Sequence, residues 1–493
     1  MLMKKNLFLW FIALVCILAS CSKDDGLNSG MDPDNDMLKS KPVNGPMVVL
    51  PPSGGDDTDA LLDAVNSAAP GTTIQLAAGV YHIGYIEIHG FNGCIKGAGR
   101  DKTTISPAEL IEVVPQAERN LLPTWWRIIG GDVKLSDLAF KTGDGTLLAD
   151  AEPYYGKVLP ALLTVNNYNA DYHPNDPQPM NFDMYNVDFI CGAIDPALGY
   201  LGEPYNVLMT FWVGMDVYWP NDPFYFTSGT YNIVNCYVEN AFQGYEAFSL
   251  GENAVLTIDR CRTDECPYGI FCAASFNSKM YLTNNTLKNT KFYGIWVTDT
   301  DFGLLGNSIV PFSRCEYVIT GNTFNPLPGS ISLLMVDERV VSYPDIYFPL
   351  LTLVKNNLFN LTEGSIGVSC MNSVDPQIRN NRFTGLAGMG VYVDGAEVYD
   401  IWTVPPTLLG MGEAKNALIL GNNFSGLTTT EGDIVLGENS FDCTLVGNGK
   451  ESVIDLGTNN KIVGMKMMPG GNHAGPTIRD NFRMMPNMRH HAH

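Results

Sequence analysis

From about residue 72 onward, apolar and polar residues alternate in short runs broken by glycine, asparagine and aspartate. A period of two places every second side chain on one face of a strand. Thr73-Ile74-Gln75-Leu76, Ala78-Gly79-Val80-Tyr81, Ile86-Glu87-Ile88 and Cys94-Ile95-Lys96-Gly97 are the first such runs. Ahead of them, acidic and threonine residues at 56–59 sit where a helix starts. Leu61, Leu62 and Val65 share one face, and Pro70-Gly71 would end the helix.

A looser unit recurs downstream: an alternating strand, an Asn or Asp, an apolar pair, a turn and another strand. Residues 235, 260 and 285 are 25 apart, 357 and 381 are 24 apart, and 423 and 448 are again 25 apart. The steps from Asp137 to Asn186 and on to Asn235 are 49 each, two coils or one coil with a long loop. Strands repeating at this interval predict a β-solenoid. Rungs would stack in register about 4.8 Å apart. A recurring asparagine can then form a hydrogen-bonded ladder through one turn and tolerate a left-handed backbone. The alternative, a β-sandwich, does not repeat Asn-x-Phe at a fixed interval.

Composition agrees with a turn-rich all-β chain: 49 glycines and 17% charged residues. The net charge of −22 argues against nucleic acid and anionic membrane surfaces as partners. It also makes direct capture of a polyanion such as pectate or alginate harder unless cations intervene. Eleven cysteines include two in the first 21 residues, leaving an odd number with irregular spacing. A full disulfide framework is therefore not expected, though Cys236 and Cys261 should be neighbours on adjacent coils, as a bridged pair or as buried small apolar side chains.

Lys4-Lys5 and the apolar run Leu7 to Ala19 read as a secretory signal, too short to span a bilayer. Leu18-Ala19-Ser20-Cys21 resembles the bacterial lipobox, which implies lipidation of Cys21 and anchoring through acyl chains. Ser22-Lys23-Asp24-Asp25 resembles the surface-export signal of Bacteroidetes lipoproteins. The expectation is an exported monomer, lipid-anchored to the outer membrane at the cell surface. Its signal peptide is 1–21, a flexible tether 22–46, a β-helix 47–468 and a tail 469–493. The helix, the Gly79-Val80-Tyr81 turn and Gly97-Ala98-Gly99 together resemble the cap and first coils of pectin-lyase-like proteins. That resemblance implies a right-handed parallel β-helix with an N-terminal capping helix.

The resemblance also implies that the asparagine turn separates the second and third sheets, and that the first sheet carries a substrate groove. Its strands would include Gly269–Cys272, Gly294–Asp299, Ile331–Leu333, Ile366–Ser369 and Val391–Asp394. Alternation puts Ile270, Ile295 and Val391 inside, and Phe271, Trp296, Thr298, Tyr392 and Asp394 outside. Long insertions near 216–231, 337–351 and 395–415 follow these strands and would wall one edge. They bring Trp219, Tyr225, Tyr347 and Trp402. Aromatic walls with scattered carboxylates suit a polysaccharide, whose C–H faces pack on rings; packing within their own loops is the plainer alternative.

Asp299, Asp301, Asp337, Glu338 and Asp394 are the catalytic candidates, as acid and base for glycoside hydrolysis or as Ca²⁺ ligands. The sequence itself requires no cofactor. Gly-His-Gly with Arg-x-Lys and Trp-Ile-Asp-His, the strings of polygalacturonases and pectate lyases, are absent. Val187–Ala193 looks like a pectin methylesterase segment, but its partner strings are missing. His473, His490, His491 and His493 crowd the tail, where disorder explains them better than a metal site. The function expected is binding and processing of a glycan by a lyase or hydrolase, or else glycan binding alone as an adhesin.

Overall fold

The structure, a computed structural model, describes residues 45–108, 124–145, 157–167, 180–214, 227–248, 250–251, 253–273, 275, 277–298, 315–337, 351–400, 407–448, 452–463 and 466–467. The alternating runs coil into a parallel β-helix, each strand pairing in parallel with its counterpart one rung on. Sheet 1 holds Leu159–Asn166, Val207–Gly214, Gln243–Phe248, Tyr268–Ala273, Tyr293–Thr298, Ile331–Val336 and Ile366–Met371. It continues through the ends of Arg382–Asp394 and Asn423–Leu436. Sheet 2 includes Thr230–Val234, Val255–Asp259, Lys279–Thr283, Glu316–Thr320 and Leu351–Lys355. Sheet 3 includes Tyr237–Glu239, Arg262–Asp264, Thr286–Thr290, Thr323–Pro326 and Leu358–Leu361. The helix Thr58–Asn66 packs Leu61 and Val65 into the same core. Asp57 does not cap it; Asp56 Oδ1 accepts the Thr58 N–H at 2.8 Å instead.

The turn between sheets 2 and 3 carries the expected ladder. Asn285, Asn322, Asn357, Asn381, Asn422 and Asn448 form one buried column. Each Nδ2 before the last donates to the next Oδ1 at 2.9–3.0 Å. Its other hydrogen goes to a backbone carbonyl such as Ile319 O, 2.9 Å from Asn357 Nδ2. Each Oδ1 also accepts the main-chain N–H of the residue one rung earlier. Both polar atoms are thus satisfied in a place water cannot reach. The residue before each ladder position has positive φ, at Asn284, Gly321, Asn356, Asn380, Gly421 and Gly447. Asparagine and glycine bear that conformation at least cost.

Cysteine extends the ladder toward the N-terminus. The Cys261 N–H donates to Asn285 Oδ1 at 2.9 Å, and its thiol points at Ile233 O, 3.4 Å away. In the later rungs Nδ2 makes the equivalent bond. Cys236, one rung earlier, directs its thiol to Val234 O at 3.4 Å. The two are neighbours, as their spacing predicts, and both are free buried thiols.

Two residues past the ladder, Phe324, Phe359, Phe383 and Phe424 stack with centroids 4.6 Å apart and planes within 9°. Glycines at the start of sheet 1 make room for these rings. A Cβ on Gly367 would lie 2.7 Å from Phe383 and 2.5 Å from Gly390 O. Gly367→Ala must therefore push one rung against the next, and we expect it to cost about 1–3 kcal/mol. Urea denaturation checks this, and an unchanged midpoint would show that the rungs give way freely.

Candidate functional site

Sheet 1 has two faces of different chemistry. Ile270, Ile295, Leu333, Val368 and Val391 point inward to the main core. Outward, one straight row crosses successive rungs in register: Glu87, Arg127, Thr164, Trp212, Glu246, Phe271, Trp296, Leu334, Ser369, Tyr392, Val435. The sidedness expected for Phe271, Trp296 and Tyr392 is therefore present. Phe271 and Trp296 lie directly opposite each other with ring centroids 4.6 Å apart.

These rings do not stand open as groove walls, however. Phe271 and Trp296 are each 2% exposed and Tyr392 is 7% exposed. With Trp212, Phe242, Phe248 and Tyr293 they form a second apolar cluster on the outer face of the sheet. The segment from Ile194 to Tyr205 takes part in it: Tyr200 and Tyr205 meet Phe242 edge-on at 5.5 and 6.1 Å. Glu203 in that segment reaches Lys291 at 2.6 Å, tying it to a later rung. This wall stands where strands enter sheet 1, the opposite edge from the insertions singled out in the sequence. On the leaving edge, Glu397–Asp400 and Thr407–Met411 form an antiparallel hairpin.

Of the carboxylate candidates, Asp337 and Asp394 lie among the described residues. Asp337 is fully buried and its charge bears on Cys315 and Tyr317, so it lies beside the core at the end of its strand and not on a cleft edge. Asp394 is on the outward face but is occupied. Its Oδ1 accepts the Gly395 and Asn439 N–H groups at 2.8 and 2.9 Å, and its Oδ2 the Tyr392 hydroxyl at 2.7 Å. The strand ending before Asp337 and the strand ending at Asp394 are two rungs apart. Asp299, Asp301, Glu338, Trp219, Tyr225, Tyr347, Trp402 and Cys21 lie outside the described residues. Among the described residues, no group of three or more His, Cys, Asp or Glu is placed to hold a metal ion.

A residue that the sequence reading passed over takes the centre of the row. Glu246 lies between Trp212 and Phe271, 4% exposed, and its Oε2 has no hydrogen-bond partner. Burial alone pushes its pKa well above the usual carboxylate range. Tyr200 is near enough to feel it; burial and then the Glu246 charge raise that phenol to about 12. From Thr164 onward the same row also buries Thr164 Oγ1, Trp296 Nε1 and Ser369 Oγ without partners. Four such atoms in one line are unusual, since buried polar groups are nearly always paired. Spacing could not reveal them, because insertions of unequal length separate these rungs. The available signal was Glu246 at an outward position beside Tyr245, a core residue.

At the row's first rungs, Glu87 Oε2 accepts the Tyr85 hydroxyl at 2.6 Å, and His89 Nε2 lies 2.6 Å from Oε1. Burial would raise the Glu87 pKa, but His89, Tyr85 and Arg127 outweigh it and hold it near 2. Glu87 and Glu246 are four rungs apart, about 19 Å. Two-carboxylate glycoside hydrolysis uses separations of about 5–10 Å.

A family model described as a right handed beta helix region matches residues 219–325. No curated protein sequence matches the chain. Among solved structures, it is similar to the A-module of a mannuronan C-5 epimerase from Azotobacter vinelandii, at 13% identity and a TM-score of 0.40, covering 85% of this chain and 96% of that one. It is also similar to the catalytic unit of an alpha-1,3-glucanase from Streptomyces thermodiastaticus, at 13% identity and a TM-score of 0.40, covering 86% of this chain and 70% of that one.

Proposed function

For a chain folded as a right-handed parallel β-helix of the pectin-lyase-like kind, we propose that the outer face of sheet 1 binds a polysaccharide across its rungs. One observation carries this reading: unpaired polar atoms on Thr164, Glu246, Trp296 and Ser369 lie in one line, interleaved with Trp212 and Phe271. Burying them costs folding free energy that nothing inside the protein returns. A sugar chain would supply hydroxyl partners at each interval and C–H faces for the rings. The row is closed to solvent, so binding requires displacement of what covers it, including the Ile194 to Tyr205 wall.

Processing at this face would begin with Glu246, whose protonated carboxyl could pass its proton to a glycosidic oxygen. A second reading, binding without cleavage, is favoured by the absence of a second carboxylate within 5–10 Å on the described row. Cys21, lipidated, would hold the protein at the outer surface of the cell, and Ca²⁺ would enter only through carboxylates such as Asp299, Asp301 and Glu338.

Affinity electrophoresis in polysaccharide-containing gels tests the reading. The wild-type chain should be retarded, and Trp296→Phe, which keeps the ring and removes the N–H, should be retarded less. Product release from the same glycans separates processing from binding. A folded protein that no glycan retards would sink the proposal.

A further inference from the structure

We infer that the glycan held on sheet 1 is uncharged, a specification that rests on the binding reading above. The nine strands of sheet 1 from Leu159–Asn166 through residues 432–436 contain no Lys, Arg or His. They do contain Asp394 and Asp433 as acids, besides Glu246, which burial keeps toward its protonated form. A polyuronate laid across these rungs would bring a row of carboxylates out of water with nothing cationic beneath them. Desolvating such charges without partners is among the costliest events in recognition, and like charges facing each other add several kcal/mol more.

The nearest cation in the row is Arg127, one rung before Thr164, and Glu87 on the adjoining rung already faces it. The net charge of −22 opposes a polyanion at longer range. What the face does offer is neutral hydrogen bonding from Thr164, Ser369 and the Trp296 indole, with Trp212 and Phe271 as ring platforms. Glu246 in its protonated form belongs to this neutral set, as a donor to a sugar hydroxyl.

The test uses the full chain in native gels containing either a neutral glucan or mannan, or else polygalacturonate or alginate, each with calcium and with a chelator. The expected result is retardation by a neutral glycan at an affinity at least about tenfold above that for either polyuronate, a difference of about 1.4 kcal/mol. Stronger retardation by a polyuronate, in either condition, overturns the inference while leaving glycan binding intact. Retardation only with calcium present would overturn it equally, by showing a cation bridge. If nothing retards a protein whose far-ultraviolet circular dichroism is intact, the binding reading itself falls and the inference falls with it.

Discussion

Asn357→Ala lowers the stability of the β-helix by about 3–5 kcal/mol, among the largest effects expected of one polar side chain. Asn357 makes four side-chain bonds in the middle of the ladder. Its Oδ1 accepts from Asn322 N and Nδ2 at 2.9 and 3.0 Å, and its Nδ2 donates to Ile319 O and Asn381 Oδ1 at 2.9 Å each. Alanine leaves the Asn322 N–H and one Asn322 side-chain hydrogen buried with no acceptor. Each orphan costs about 1–3 kcal/mol, more than the bond itself contributes. Rungs touch only their neighbours, so the break falls across the stack and uncouples its two halves. Asn448→Ala leaves the same kind of orphans, the Asn422 N–H and one Asn422 side-chain hydrogen, and should cost slightly less only because, among the described residues, its Nδ2 donates to Ile419 O at 2.9 Å and to no onward asparagine. Urea denaturation of the two variants gives the comparison. A loss below about 1 kcal/mol at either position would mean that the column is decorative.

The same ladder shows why the fold could be read and the site could not. A ladder works only if the same residue returns at the same place in every rung, so its constraint is written as a period. Asn381-Arg382-Phe383 and Asn357-Leu358-Phe359 announce both the turn and the stacked rings. Alternation likewise gave the correct side for Ile295 and Trp296. What alternation cannot give is depth: an outward residue is exposed only if nothing lies over it, and that depends on segments such as Ile194 to Tyr205 that follow no repeat. The carboxylates suffered from the same gap. Asp394 and Asp337 stand at strand ends, where turns also need acceptors for backbone N–H groups. Asp394 serves that purpose, with two such bonds. An isolated acid within Gln243–Phe248 has no motif, so Glu246 is not legible from spacing; its meaning comes from the indole and phenyl on the rungs either side.

Glu246→Gln is the variant that separates an inert buried acid from a working one, and it should make the protein more stable at neutral pH. The folded-state pKa is raised by burial above the ordinary 4.5. Below pH 4.5 both folded and unfolded chains carry the proton, and Glu246 adds no pH dependence. As pH rises past that value the unfolded chain releases a proton that the folded chain keeps. Unfolding is then favoured by about 1.4 kcal/mol per pH unit until the folded carboxyl itself ionises. Glutamine keeps the shape and cannot titrate, so every other group cancels in the difference between the two proteins. The stability gap should be near zero around pH 4 and grow as pH rises past the unfolded value, by at most about 1.4 kcal/mol per pH unit, until the folded carboxyl ionises. Parallel curves from pH 4 to 8 would mean that Glu246 is ionised and compensated in the folded chain. Its candidacy as a proton donor would then end. A widening gap would instead show that the fold retains, at the middle of its outer row, an acid that it would be more stable without. That cost is what a role in chemistry or recognition at this face predicts.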